Sequence, residues 1–136
     1  KSILLLNEGN NSFKKIELPN MAQTIPILDG DTFDFNKDGF EDLIIVGNVY
    51  NTEVETPRLD NPFALVLLSN QKDNYTVLNP EITGLYLSGN AKSVQLIDQK
   101  GLNKTLAVIA NNNGKSEVFE LNSEEIDKDK YNVKNN

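Results

Sequence analysis

The side chains best suited to chemistry in this chain lie in one stretch, Asp34-Phe35-Asn36-Lys37-Asp38-Gly39-Phe40-Glu41-Asp42. Oxygen donors stand at its positions 1, 3, 5 and 9, and position 7 offers a backbone carbonyl: Asp34, Asn36, Asp38, Asp42 and, for the carbonyl, Phe40. Hard cations need several oxygens around one point, and Ca²⁺ tolerates irregular coordination better than Mg²⁺ or Mn²⁺. Gly39, at position 6, allows the tight bend that such a loop requires. The pattern therefore predicts a calcium-binding loop.

Two other interpretations of this stretch are weighed against calcium. An EF-hand begins in the same way, but it needs a bidentate Glu at position 12 and a helix on each side. Position 12 is Ile45, inside an apolar run with β character, so the EF-hand fails. The remaining alternative is a hairpin turn that happens to carry acidic residues. Such a turn explains Asp38-Gly39, but it does not explain the other oxygen donors.

The composition excludes several classes of function. The 136 residues include 13 Lys+Arg, 20 Asp+Glu and neither His nor Cys, for a formal net charge of -7. Catalysis by His, Cys–His or Ser–His–Asp groups, thiolate zinc sites and disulfides are therefore excluded. The acidic charge disfavours nucleic acid as a partner. The longest apolar runs are far shorter than the roughly 20 residues of a membrane helix, so we expect no membrane insertion.

Short segments rich in Val, Ile, Leu and Phe alternate with clusters of Asn, Asp and Gly, which is typical of strands and turns. No long window carries a helical apolar stripe, so the sequence predicts an all-β fold without a substantial helix. Leu43–Val46 is apolar on both faces, as in a sheet covered on both sides. The predicted strands are Ile3–Asn7, Ser12–Leu18, Pro26–Phe33, Asp42–Tyr50, Phe63–Ser69, Asn74–Asn79, Ser93–Asp98, Thr105–Ala110 and Glu117–Leu121.

The sequence also contains a weak internal repeat. Residues 5–13 match residues 67–75 as an apolar pair, a polar turn and an aromatic residue, at an offset of 62. Residues 35–40 lie over residues 97–102 at the same offset. This period is on the scale of one four-stranded propeller blade.

The stretch 34–42, followed by the apolar strand to Gly47-Asn48, resembles the FG-GAP/VCBS repeat of integrin-type β-propellers and of many secreted bacterial proteins. The hairpin around Leu4–Gly9 with Phe13 is similar to the segment between two such loops, and residues 47–60 resemble the last calcium-bearing blade of large VCBS-repeat proteins of the ASPIC/UnbV type. The resemblance covers residues 1 to about 121. It implies calcium held by Asp34, Asn36, Asp38, the carbonyl of Phe40 and Asp42.

The resemblance further implies an incomplete propeller of about two four-stranded antiparallel blades. Residues 1–23 would be the closing hairpin of a preceding blade, 24–91 the calcium-loop blade, 92–122 a degenerate last blade and 123–136 a polar tail. In the second copy of the loop, positions 1, 3, 5 and 9 are Leu96, Asp98, Lys100 and Lys104. Two ammonium groups replace carboxylates there, so we expect no calcium at that loop.

The long connection 51–62 is a second candidate site, because long ordered loops are often functional. Glu53, Glu55, Arg58 and Asp60 could form a recognition patch or a carboxylate pair of glycosidase type. The alternative is that Arg58 bridges Glu55 and Asp60 and only pins the loop. Asn48 and Tyr50, at the start of this connection, complete the set of candidate binding residues.

We therefore expect a non-enzymatic, calcium-stabilised scaffold or interaction module of a larger secreted or cell-envelope protein, its location being implied by the resemblance alone. The alternative is a carbohydrate-binding or carbohydrate-cleaving propeller that uses the acidic loop Glu53–Asp60. The partner would be a protein or glycan ligand together with the remaining blades of the propeller. Two blades alone would leave Leu43–Val46 and Ala64–Leu68 exposed, which predicts self-association.

Overall fold

The computed structural model of the chain describes residues 1–53, 55–70, 74–99, 102 and 104–121. Within these ranges the chain is all-β, which confirms the predicted class, and its only helices are two single turns. The strands are β1 (Ile3–Gly9), β2 (Ser12–Glu17), β3 (Asp29–Phe33), β4 (Asp42–Val46), β5 (Leu65–Ser69), β6 (Tyr75–Val77), β7 (Ala91–Gln99), β8 (Lys104–Asn111) and β9 (Glu117–Leu121). The helical turns are α1 (Asn20–Gln23) and α2 (Pro80–Thr83).

In the described part of the chain, three antiparallel sheets follow one another along the sequence. The hairpin β1–β2 comes first, the four-stranded sheet β3–β4–β5–β6 second and the three-stranded sheet β7–β8–β9 third. Within each sheet, the order of the strands follows their order in the sequence, and adjacent strands pair antiparallel. The predicted polar tail 123–136 lies outside the described residues.

The four-stranded sheet is packed on both faces. Ile44, Val46, Val66 and Leu68 face the three-stranded sheet and form the larger apolar core. The alternate residues Ile45, Leu65 and Leu67 face the β1–β2 hairpin and form a second core with Leu18 and Ala22. Side chains alternate between the faces of a strand, so a sheet covered on both sides needs apolar residues at every position, as the sequence of Leu43–Val46 predicts.

This packing corrects one expectation from the sequence. Leu43–Val46 and Ala64–Leu68 were expected to supply an exposed apolar surface, but Ile44 to Val46 and Ala64 to Leu68 are buried. Their neighbours within the same chain cover them on both sides. Three exposed apolar side chains share the outer face of the first hairpin, where Ile3, Leu5 and Phe13 are 41%, 57% and 59% exposed.

Strand β4 ends at Val46, earlier than the predicted end at Tyr50. A Cβ atom at Gly47 would lie 2.2 Å from the carbonyl oxygen of Pro26, so only glycine fits there. Beyond it the chain leaves its own sheet, because the Asn48 amide donates to the carbonyl of Ala91 on β7 at 2.9 Å. The carboxyl end of β4 is thereby tied to the start of the next sheet.

The helical turn α2 begins at a capping asparagine. The side chain of Asn79 accepts a hydrogen bond from the Glu81 amide at 3.0 Å, and Gly84 ends the turn in the left-handed conformation. Of the helices in the described part of the chain, neither has the length and apolar character to span a membrane.

Candidate functional site

The carboxylate of Asp34 organises the predicted calcium loop from its first position. One of its oxygens accepts a hydrogen bond from the Asp38 amide at 3.0 Å, and the other accepts from the Gly39 amide at 2.9 Å. These two bonds hold the bend, in which Lys37 and Gly39 have φ angles of 54° and 89°. Asp34 is thus the centre around which residues 35–39 turn.

The next two donor residues are also engaged within the loop. The side-chain nitrogen of Asn36 donates to one carboxylate oxygen of Asp38 at 2.9 Å, and the backbone amide of Phe40 donates to the other at 2.9 Å. The Asp38 amide is shared with the carbonyl oxygen of the Asn36 side chain at 3.1 Å. The sequence-predicted residues therefore form one connected hydrogen-bond network.

Asp42 closes the loop from inside the protein. Its side chain is fully buried, and its two oxygens accept hydrogen bonds from the Phe35 amide at 2.9 Å and the Ser69 amide at 2.8 Å. Burial raises the pKa of Asp42 to about 6, with further help from the negative charges of Asp38 and Asp34, although the two amide hydrogen bonds act in the opposite direction. A cation beside this carboxylate would stabilise its charged form.

The donor set fits a hard cation by its chemistry, since it offers only carboxylate, amide and carbonyl oxygens. Its present arrangement is one of hydrogen bonds. Among the described residues, no three acidic, His or Cys side chains converge closely enough to hold a metal ion. Asp34, Asn36, Asp38, the carbonyl of Phe40 and Asp42 remain the residues that would hold Ca²⁺, which stays a prediction.

The second copy of the loop has a different backbone. The pairing of β7 with β8 extends as far as Gln99 and Lys104, so Leu96 and Asp98 are strand residues. Leu96 packs against the larger core, and Lys104 forms an ion pair with Glu120 at 2.9 Å. Lys100 lies outside the described residues. The expectation that this position binds no calcium stays a prediction.

Asn48, from the second candidate set, is a structural residue rather than a surface one. It is fully buried, and its side-chain nitrogen donates to the carbonyls of Asn61 at 3.1 Å and Gly89 at 2.9 Å. Its side-chain oxygen accepts from the Asn61 amide at 2.5 Å. Asn48 therefore fastens both ends of the connection 51–62 to the segment that precedes β7.

Tyr50, Arg58 and Asp60 come together on this connection. The Arg58 guanidinium lies 4.2 Å from the centre of the Tyr50 ring and forms an ion pair with Asp60. The Tyr50 hydroxyl lies within hydrogen-bond distance of Asp60 at 2.9 Å and of the Gly89 carbonyl at 3.1 Å. The hydrogen bond from Arg58 lowers the pKa of Asp60, while burial and the hydrogen bond to Asp60 raise the pKa of Tyr50.

Glu55 and Glu53 lie apart from this cluster. Both are exposed, and within the described residues no hydrogen bond or ion pair joins either one to Arg58. The clamp expected from the sequence is thus formed by Arg58 and Asp60 without Glu55. The glycosidase-type carboxylate pair stays a prediction.

The structure also reveals a cleft that the sequence does not indicate. Its volume is about 390 Å³, and its walls come from three separate segments, 50–51, 88–90 and 112–114. Only Tyr50 of the candidate binding residues lines it. No sequence pattern could find it, because contacts between distant segments create it.

Comparison of this chain with protein-family models, with curated proteins and with solved structures gives no match.

Proposed function

We propose that this chain is a calcium-stabilised β-propeller repeat module of the FG-GAP/VCBS type, acting as a scaffold or interaction part of a larger protein. The loop Asp34–Asp42 binds one Ca²⁺, and the ion fixes the connection between the first two strands of a four-stranded blade. We assign the module no catalytic reaction. Its secreted or cell-envelope location rests on the sequence resemblance alone.

The observation that carries the proposal is the closed oxygen-rich loop with a buried carboxylate at its end. Asp42 is fully buried beside two further acidic residues, so its charge is costly in the absence of a cation. It also anchors the loop to β5 through the Ser69 amide. A bound cation would offset the repulsion among Asp34, Asp38 and Asp42 and would stabilise the folded state.

Support for a repeat comes from the pairing of two hairpins. In β1–β2, Leu5 pairs with Lys15 and Asn7 with Phe13; in β5–β6, Leu67 pairs with Val77 and Ser69 with Tyr75. Each pair in the second hairpin lies 62 positions after its counterpart in the first. The two hairpins thus share one register at the offset found in the sequence.

The same equivalence identifies the surface that a neighbouring blade would cover. Leu65 and Leu67 are fully buried against the first hairpin, whereas their counterparts Ile3 and Leu5 are 41% and 57% exposed. Phe13, opposite Asn7, lies on the same face, while Glu17 and Lys15 stand opposite Ile3 and Leu5, so the patch combines apolar and charged side chains. We propose that a further blade of the same kind covers this patch, and that the isolated chain associates through it.

Leu5→Ser tests this patch without disturbing a packed core. Light scattering across a concentration series is expected to show concentration-dependent association for the wild type and less of it for Leu5→Ser. Thr76→Ala, an exposed change on β6, serves as the control and should associate like the wild type. A wild-type chain that stays monomeric at every concentration would contradict the proposed surface.

Calorimetric titration with CaCl₂ tests the calcium site directly. The expected result is one site per chain in the wild type and at least a tenfold loss of affinity, roughly 1.4 kcal/mol, in Asp38→Asn. Asp38→Asn keeps the side-chain shape and removes one charge. Glu41→Gln removes one charge from an exposed residue of the same loop that is outside the donor set, so it should bind nearly as the wild type does.

Two results would contradict the calcium proposal. One is the absence of any binding heat in the wild type at millimolar CaCl₂. The other is an equal loss of affinity in Asp38→Asn and Glu41→Gln, since that would indicate general attraction of cations to an acidic surface.

A further inference from the structure

The cleft of about 390 Å³ lies at the end of the molecule where the connection after β4, the segment before β7 and the β8–β9 turn meet. Its volume falls within the usual range for small-molecule sites, about 300–1,000 Å³. Two glycines and six side chains line it: Tyr50, Asn51, Ser88, Asn90, Asn112 and Asn113. All six of these side chains can donate or accept hydrogen bonds, and none carries a formal charge.

Asn90 is the residue that marks the cleft as a binding site. It is only 8% exposed, and its side-chain oxygen, which is enclosed away from solvent, has no hydrogen-bond partner within the described part of the chain. Its backbone carbonyl accepts from the Asn112 amide at 2.9 Å, which fixes the residue in place. Buried polar groups are nearly always paired, so this unpaired oxygen is an exception that a turn of the Asn90 side chain toward a ligand in the cleft would relieve.

Hydrogen bonds and close packing join the segments around Asn90. Glu117 accepts hydrogen bonds from the Ser88 amide at 3.0 Å, the Ser88 hydroxyl at 2.8 Å and the Asn111 side chain at 2.9 Å. A Cβ atom at Gly89 would lie 2.5 Å from the side-chain carbon of Asn111, so the two segments approach as closely as glycine permits. The Gly89 carbonyl accepts a hydrogen bond from the side-chain nitrogen of Asn48 at 2.9 Å. A preformed site of this kind loses little entropy on binding.

Arg58 and Glu117, the charged groups bonded to residues around the cleft, are already engaged within the protein. Arg58 is paired with Asp60, and the carboxylate of Glu117 is occupied by three hydrogen bonds. Hydrogen bonds from Asn111 and Ser88 outweigh the effect of burial and lower the pKa of Glu117, so it stays ionised and bonded. None of the residues that line the cleft carries a charge that would attract a phosphate, a carboxylate or an ammonium group.

The chemistry that matches such walls is a neutral ligand with many hydroxyl groups. Each Asn offers one acceptor and two donors, and a hydroxyl both donates and accepts. A peptide would need apolar or charged anchors, but the cleft provides a single aromatic ring, and Arg58 covers one face of that ring.

We propose that this cleft binds a neutral saccharide unit, with Asn90 and Asn112 as its main hydrogen-bonding residues. The proposal rests on the interaction role given above but not on calcium, since the donor residues of the loop take no part in the cleft. It also differs from the sequence-based alternative, because Glu53, Glu55 and Asp60 do not line the cleft.

Titration of ¹⁵N-labelled protein with glucose, galactose, mannose and N-acetylglucosamine, followed by NMR and supported by a glycan array, tests the proposal. At least one of these sugars is expected to shift the side-chain amide signals of Asn90 and Asn112 with a millimolar dissociation constant. Asn90→Ala and Asn112→Ala should each weaken binding about tenfold, the effect of losing one good hydrogen bond. Asn112 is exposed and its side chain makes no contact that the fold needs, so this variant keeps the test valid if Asn90→Ala unfolds.

Asn74→Ala is the matched control, because Asn74 is also exposed but lies after the far end of β5. Three results would overturn the proposal: no binding of any neutral sugar or glycan, equal binding by wild type and Asn112→Ala, or binding of charged glycans and peptides only. The same titration in EDTA separates the two proposals. Sugar binding that persists in EDTA would support the cleft whatever the outcome of the CaCl₂ titration, and loss of sugar binding with intact calcium binding would overturn the cleft alone.

Discussion

The connection between β3 and β4 and the connection between β7 and β8 occupy equivalent places in two neighbouring sheets, yet they differ in form. The first connection runs from Phe33, the end of β3, to Asp42, the start of β4, and Asp34 stabilises it by accepting hydrogen bonds from two backbone amides of the loop. In the second, the strands continue until Gln99 pairs with Lys104. A wide loop therefore occurs where Asp34, Asp38 and Asp42 occur, and extended pairing occurs where they are replaced.

The difference teaches that acidic residues in this protein shape the backbone directly. Asp34 accepts two backbone amides, which allows the φ angles of 54° and 89° that a hairpin of ordinary residues would avoid. On β7 the equivalent position is Leu96, which packs into the core and favours continued strand. The acidic loop is built to be wide, and that width is what a cation site requires.

The largest expected effect is a difference in unfolding free energy between Asp42→Ala and Asp98→Ala, where Asp98 is an acidic residue near the β7–β8 connection. Asp42→Ala leaves the buried amides of Phe35 and Ser69 without an acceptor, which should cost about 3 kcal/mol of unfolding free energy. Asp98→Ala changes an exposed side chain and should cost less than about 0.5 kcal/mol. Urea denaturation of both variants in EDTA measures the difference. Similar losses in the two variants would show that the acidic loop has no special structural role.

A smaller effect is expected at the bend of the loop. Gly39 has a φ angle of 89°, and no atom lies within 4 Å of the position that a Cβ would take. Gly39→Ala therefore tests backbone strain alone and should cost about 1–2 kcal/mol. Gly114→Ala is the control, since its Cβ would meet only an ordinary contact at 3.4 Å and its backbone is not left-handed. Equal melting temperatures for the two variants would mean that the loop relaxes into another conformation.

The smallest effect concerns the contact between β3 and β7, the first strands of the four-stranded and three-stranded sheets. Asp29 on β3 accepts hydrogen bonds from the Ser93 hydroxyl at 2.5 Å and the Val94 amide at 3.0 Å, both on β7. The hydrogen bond from Ser93 is the main cause of the lowered pKa of Asp29, and the Val94 amide adds to it. Asp29→Asn should cost about 1 kcal/mol at neutral pH.

The pH dependence of this contact has a definite sign. A pKa lowered by folding means that Asp29 stabilises the protein above its unfolded value of about 3.9 and loses that contribution as the pH falls through its folded value. The stability difference between wild type and Asp29→Asn should therefore shrink below pH 4. If the stability difference between wild type and Asp29→Asn grew as the pH fell, the stabilising role given to the Asp29 carboxylate would be contradicted.

Local patterns predicted most of the strands. Glu117–Leu121 was predicted with the bounds that the structure has, because turns flank a run with clear alternation. Pro26–Phe33 was predicted too long at its start, and Asp42–Tyr50 too long at its end, because close backbone approach at Gly47 interrupts the ladder. The short turn α2 had a readable signal in Asn79-Pro80 and Gly84, while α1 lacks a side-chain cap.

The candidate sites were predictable only where they are local in sequence. Residues 34–42 form a connected network, as their spacing indicates, because each bond spans seven residues or fewer apart from the link of Asp42 to Ser69. The buried role of Asn48 and the cleft around Asn90 depend on contacts between segments distant in sequence, such as Asn48 with Gly89 and Asn90 with Asn112, which no local pattern records.

Thermal unfolding in excess CaCl₂ and in EDTA tests the central claim, a calcium-stabilised loop, most directly. Calcium at 100 times its dissociation constant would stabilise the fold by about 2.7 kcal/mol, so the melting temperature of the wild type should rise by several degrees. Glu41→Gln should show the same rise, and Asp38→Asn should show little or none. If the wild type melts at the same temperature in CaCl₂ and in EDTA, the loop is a hydrogen-bonded turn without a metal, and the account is wrong.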